Sequence, residues 1–173
     1  YRFLWRLQAG GRLLTDRPQA PWEMMRAAGR PELEKTRISA LMRRLRASER
    51  VKEPVRYKTD SELLAHYGLT DDGHPTHLGV LILGRPNDRA GLGTAPIVQA
   101  IKYDEHEQKV AKWTWDDYTL SPLELPDAIW ETIPDFRESY EVADGLFRRN
   151  VPAYDQRVVR ELLVNALVHR PYT

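Results

Sequence analysis

Arg160-Glu161-Leu162-Leu163-Val164-Asn165-Ala166-Leu167-Val168-His169-Arg170 contains no Gly or Pro, nor does the stretch leading into it from Tyr154. That predicts a helix over 154–169 with Asp155 as its N-terminal cap. Val158, Val159, Leu162, Leu163, Val164, Ala166, Leu167 and Val168 make its surface apolar nearly all round, so a buried helix is expected. Arg157, Glu161, Asn165 and His169 recur at four-residue steps and form one slowly drifting line along a face. A carboxylate and an amide are then held in a core-forming element, where an unpartnered amide costs about 1–3 kcal/mol and a charge more. Two arrangements meet that cost. In a nucleotide site, Glu161 orients or deprotonates an attacking water and the Asn165 side-chain oxygen helps hold a metal ion on the phosphates. Alternatively, Arg157 and Glu161 pair along the helix for about a few tenths of a kcal/mol, with Asn165 and His169 at a solvent-facing seam; spacing alone favours this second arrangement.

Upstream, helical and strand periods alternate. Leu125, Ile129, Trp130 and Ile133 recur at helical spacing within 123–136, and Pro134 predicts the stop. Ile97 to Tyr103 alternates as a half-buried strand, acidic turn residues follow, and Val110 to Trp115 completes a hairpin. Residues 137–150 are ambiguous. Thr59-Asp60-Ser61-Glu62 is a capping box for a helix with Leu63, Leu64 and Tyr67 on its apolar side and Gly68 at its left-handed stop. After the polar turn Asp71-Asp72-Gly73, the apolar run in Thr76 to Gly84 fits either a buried strand or a short buried helix, and 85–96 reads as a Gly- and Pro-rich loop. Glu32 to Glu49 is a basic amphipathic helix whose apolar positions are Leu33, Ile38, Leu41, Met42 and Leu45. The first 28 residues read as a strand or turn over 1–7, a Gly10-Gly11 turn and a short strand at 12–14. A helix carrying Trp22, Met24 and Met25 follows a Thr15-Asp16 cap.

Lys and Arg total 26 against 25 Asp and Glu, yet the signs separate: residues 1–58 hold 15 against 6, and 59–173 hold 11 against 19. Such asymmetry predicts an anionic partner for the basic half, nucleic acid above all, with Arg37, Arg43, Arg44 and Arg46 as candidate phosphate contacts. A solvated helix face, or a helix docked on the acidic half or on a second protomer of a homodimer, accounts for the same split. Zero cysteines exclude disulfides and thiolate metal sites. No run approaches the roughly 18 apolar residues that span a bilayer, and the opening lacks the apolar core of a signal peptide, so a soluble, cytoplasmic protein without a membrane partner is expected. The lack of an initiator Met and the abrupt Pro171-Tyr172-Thr173 end predict a piece of a longer chain.

Weaker signals favour structure over chemistry. His74-x-x-His77 lies in a turn with no Cys and no carboxylate cluster nearby beyond Asp71 and Asp72, which favours a surface pair over a metal site. Residues 84–93 match neither a P-loop nor a dinucleotide fingerprint, and Gly79 and Gly84 read as positions of close packing or tight turning. Trp113, Trp115 and Tyr118 stand beside Asp116 and Asp117, an acidic setting that suits packing better than base stacking.

Residues 160–170 closely resemble the N-box of GHKL ATPases, the group of gyrase, heat-shock chaperone, histidine kinase and mismatch-repair ATPases. The form is similar to the "REALVNALVHRDY" box of bacterial regulators that join a Schlafen/AlbA-like DNA-binding domain, a GHKL-type ATPase and a C-terminal winged helix. Ser61 to Leu64 with Gly68-Leu69, then Thr76 to Gly84, resemble the "LLxxLGL … LTxAGLLLFG" connector of those proteins, and Tyr1 to Ala28 is similar to the tail of their AlbA-like domain. The resemblance implies Glu161 as general base, Asn165 as magnesium ligand and His169 near the phosphates, with ATP and Mg2+ as cofactors and DNA as partner. Pro171 departs from the pattern, standing where an acidic residue is usual. The motifs that hold adenine and close over the phosphates are expected beyond Thr173.

An α+β (mixed α/β) chain is therefore expected: the AlbA-like tail at 1–28, a basic helical linker at 29–58, a connector with a small β-sheet and helices at 59–150, and the first helix of a GHKL fold at 151–173. The implied function is an ATP-binding, DNA-associated transcriptional regulator. A non-enzymatic interaction or oligomerisation module, and an ATP-binding domain without turnover, are the alternatives.

Overall fold

A computed structural model describes residues 22–29, 31–94 and 96–170, together with the backbone of 5–9. The described residues form seven strands and seven helices in an α+β fold: β1 (Trp5–Ala9), α1 (Lys35–Ala47), α2 (Glu53–Arg56), α3 (Asp60–His66), β2 (Thr70–Asp71), β3 (His74–Pro75), α4 (His77–Leu83), α5 (Pro86–Gly91), β4 (Val98–Tyr103), β5 (Lys109–Trp115), α6 (Leu125–Thr132), β6 (Ser139–Asp144), β7 (Phe147–Pro152) and α7 (Gln156–Val168). None of the described helices is long and apolar enough to cross a membrane. The chain divides into two compact units. The first holds the described part of 11–95 with 117–121; the second holds the described part of 1–10 with 96–116 and 122–170. The boundaries between the units fall at 95/96, 116/117 and 121/122.

In the first unit, local hydrogen bonds set the helix ends. The Thr59 hydroxyl accepts from the Glu62 N–H while the Glu62 carboxylate accepts from the Thr59 N–H, so the capping box forms as read. The Thr59 N–H and then the Thr59 hydroxyl, which also donates to that carboxylate, hold the Glu62 carboxyl below the usual carboxylate range. Gly68, at φ +67°, ends α3. Asp72 and Gly73, both at positive φ, make the two-residue turn between β2 and β3. Residues 76–84 resolve as helix rather than strand, because the buried Thr76 hydroxyl accepts from the Gly79 N–H as an N-cap and donates to Gly68 O. Leu63, Leu69, Val80, Leu81, Leu83 and Met42 of α1 are buried. Two expectations are corrected. Residues 86–91 of the supposed loop are helical, with Pro86 supplying the fixed φ suited to a first turn. Trp22–Met24 is a single 3-10 turn, with Trp22 packed on Leu81 and Met24 and Met25 exposed. The readings for residues 10–16 lie outside the described residues.

Gly79 sits where α4 touches the chain leaving α3. A Cβ built there would lie 2.0 Å from the Leu69 carbonyl oxygen, a backbone atom that also accepts the Thr76 N–H. Alanine normally gains about 0.5–1 kcal/mol over glycine inside a helix, but forcing apart two hydrogen-bonded backbones costs about 3 kcal/mol. The clash wins, and Gly79→Ala is expected to lower the unfolding free energy by about 2 kcal/mol or more in urea titration. An unchanged midpoint would contradict the close approach.

The second unit is built on an antiparallel sheet in the order β1-β4-β5, with Ala100 opposite Leu7 and Trp113 and a bulge at Lys102/Tyr103. The β4–β5 hairpin is the one the alternation predicted. Val98 and Ala100 are buried, as are Leu125, Ile129 and Ile133 of α6 and its end. Phe136, in the 3-10 turn Pro134–Arg137, stacks on Trp130 and meets Tyr154 edge-on. Lys102 of β4 pairs with Asp135, both largely buried. The ambiguous 137–150 is mostly the β6–β7 hairpin, turned at Gly145 with φ +63°.

Candidate functional site

The helix that carries the candidate residues is fixed at its N-terminus by Asp155. Its carboxylate accepts from the N–H groups of Arg157 (2.7 Å) and Val158 (3.3 Å), which satisfies two of the free donors of the first turn. One turn apart, Leu163 and Leu167 are buried and α7 packs on α6. Arg160 pairs with Asp127 of α6; each side chain is about half exposed, so this ion pair steers the helix contact more than it stabilises it.

The buried, core-forming α7 expected from its composition is not what forms. Val158, Leu162 and Val168 are 56%, 59% and 68% exposed, and Glu161, Asn165 and His169 are exposed as well. Apolar content all round does not bury a helix that is covered on part of its surface only, here by α6 and β1. The polar line therefore stands at the surface, where water solvates the carboxylate and the amide, and no buried partner is needed to hold them.

Glu161, Asn165 and His169 do share a face, as the four-residue spacing requires. The Asn165 Nδ2 donates to Glu161 Oε1 across a long 3.4 Å, and the His169 N–H donates to the Asn165 backbone oxygen as α7 ends. Among the described residues Glu161 makes this contact and no ion pair with Arg157. A carboxylate one helical turn from a primary amide presents adjacent hard oxygen donors to the outside. No three His, Cys, Asp or Glu side chains gather at metal-binding distance among the described residues. His74 Nδ1 lies 3.2 Å from Asp72 O, whereas the His77 ring packs on Trp22 at 4.6 Å.

The four arginines named for phosphate contact behave differently from one another. Arg37 donates to Gly84 O (2.9 Å) and Thr119 O (2.8 Å) and pairs with Glu34, so it fastens the first unit internally. Arg46 donates to Asp60 Oδ1 and Lys58 O. Arg43 and Arg44 are exposed. Sequence reasoning passed over Arg89, which is 1% exposed and gives donors to Gly84, Tyr118 and Thr119 carbonyls. An arginine in a Gly- and Pro-rich segment, with Arg85 four residues before it, carries no signal of burial. Tyr118 packs on Leu81, in keeping with a packing aromatic.

Compared with known proteins, the chain matches no family model, no curated protein and no solved structure.

Proposed function

We propose that α7 is the first helix of a GHKL-type nucleotide site in an ATP-binding, DNA-associated transcriptional regulator of the Schlafen/AlbA-like kind, with Glu161 as general base, Asn165 as magnesium ligand and His169 near the phosphates. The observation that carries this reading is the side-by-side exposure of Glu161 and Asn165 on a capped helix whose residues 160–170 resemble the N-box. The donor chemistry fits. Mg2+ prefers oxygen ligands, takes one or two from a protein and completes its shell with water and phosphate, and the Asn165 side-chain oxygen and the Glu161 carboxylate supply that type. Bound there, the ion would neutralise phosphate charge. Glu161 would accept a proton from a water held at its carboxylate, and Asn165, by donating to Glu161, would keep that carboxylate turned along the helix.

In the full-length protein, Asn165→Ala is expected to weaken Mg·ATP binding about tenfold, a loss of about 1.4 kcal/mol, with little change for nucleotide in EDTA. Isothermal titration with and without Mg2+ checks this; equal loss in both conditions removes the metal role, and no binding by the parent protein removes the nucleotide reading. A second reading, a non-enzymatic interaction module, is favoured by one observation: Tyr140, Val142 and Phe147 are 55%, 46% and 80% exposed on one face of the β6–β7 hairpin, beside Arg149 and Asp144 of the same face.

A further inference from the structure

We propose that α1 and the turn after it form a docking face for the phosphate backbone of double-stranded DNA, contacted by Arg43, Arg44, Arg50 and Lys52. The inference rests on the DNA association proposed above and assigns it a surface. From 35 to 58 the chain holds nine Lys/Arg against two Asp/Glu, the densest positive stretch in the sequence. The structure sorts those cations into two kinds. Arg37, Arg46 and Arg56 point their guanidiniums at backbone carbonyls: Arg37 at Gly84 and Thr119, Arg46 at Lys58, and Arg56 at Val51 (2.7 Å) and Glu49 (3.2 Å). They shape the surface. Arg56 in particular ties down the turn that carries Arg50 and Lys52. Lys35, Arg43, Arg44, Arg50 and Lys52 are exposed, with no partner among the described residues.

The placement suits a duplex. α1 buries Met42 and turns Ile38, Leu41 and Leu45 inward, so the opposite side presents Arg43 among its helical neighbours Thr36, Ser39 and Ala47. Short side chains there let a phosphodiester strand approach the helix while the longer cations reach around it. Guanidinium forks match phosphate oxygens in pairs. Between Lys35 and Lys58 the exposed large apolar side chain is Tyr57 (81%), after α1, and α1 itself exposes none; this disfavours an anionic membrane, since interfacial helices bury an apolar face.

The test is fluorescence anisotropy of a labelled mixed-sequence duplex with the full-length protein, titrated from low to near-physiological salt without nucleotide. Parent protein is expected to bind with log K falling linearly in log salt. Arg43→Glu/Arg44→Glu is expected to bind at least tenfold more weakly and to reduce the salt slope by about 1.8, or 0.9 per lost phosphate contact. Arg43→Ala/Arg44→Ala should show the same direction, and an unchanged urea midpoint confirms folding. Arg148→Ala/Arg149→Ala, exposed cations of the second unit, should change affinity less than twofold. Equal binding by the Arg43/Arg44 variants overturns this face while DNA association stands. No duplex binding at low salt overturns both. Equally tight capture of phosphatidylserine vesicles, lost in the same variants, overturns it in favour of a membrane. None of these readouts involves Glu161 or Asn165, so the nucleotide reading is tested independently.

Discussion

Replacing Arg89 with Met is expected to lower the unfolding free energy of the first unit by about 3 kcal/mol. The guanidinium is 1% exposed and donates through Nε (2.9 Å) and Nη2 (2.7 Å) to Tyr118 O, through Nη2 to Thr119 O (2.9 Å), and through Nη1 to Gly84 O (3.0 Å). Hydrogen bonds to a charged donor contribute about 1.5–3 kcal/mol each, and a buried acceptor left bare costs about 1–3 kcal/mol. Two effects reduce the loss. Arg37 also donates to Gly84 O and Thr119 O, so those carbonyls keep a partner, and removing one of two neighbouring cations relieves their repulsion. Tyr118 O loses both of these donors, and that term decides the sign. Met fills much of the volume, so the variant isolates the polar loss from a cavity. Urea titration of full-length protein measures it; a drop below about 1 kcal/mol would mean that Arg37 alone holds 117–121 in place.

The sequence made visible those elements whose signals are local. Thr59 with Glu62, Gly68, Asp72-Gly73 and Asp155 each bond within a few residues of themselves, and each does in the structure what its type and spacing require. The helix in 76–84 was undecidable from its apolar run, since every residue there suits either period; the deciding bond is the Thr76 cap, a signal present but overlooked. Pro86 disguised α5, because proline reads as a loop residue unless it is recognised at a first helical turn. Phe147-Arg148-Arg149-Asn150 hid the second hairpin strand, whose alternation is broken by adjacent charges. Burial of α7 was not legible at all. Composition reports what a surface would bury, whereas exposure depends on which neighbours arrive, and Val158, Leu162 and Val168 have none among the described residues to cover them. The same limit applies to the basic helix. A count of arginines cannot separate Arg37 and Arg46, committed to carbonyls and Asp60, from Arg43 and Arg44, which remain exposed.

On the proposed nucleotide reading, Glu161→Gln is expected to give the largest functional loss, cutting any ATP hydrolysis by the full-length protein about 10²- to 10⁴-fold, the usual contribution of a positioned general base. Gln preserves length, and its oxygen can keep the 3.4 Å contact from Asn165 Nδ2 that Glu161 Oε1 accepts. What it cannot do is take a proton. The substitution therefore separates proton acceptance from positioning, which Glu161→Ala would remove together. Exposure favours a folded variant, because an amide at a solvated position of α7 carries no desolvation penalty beyond that of the carboxylate. Mg·ATP affinity should stay within about threefold of the parent, since a loss confined to kcat marks an interaction made only in the transition state. If affinity falls in step with rate, Glu161 binds rather than catalyses. If rate and affinity both hold, the general-base assignment fails, and if the parent binds Mg·ATP without turnover, the nucleotide is a structural ligand.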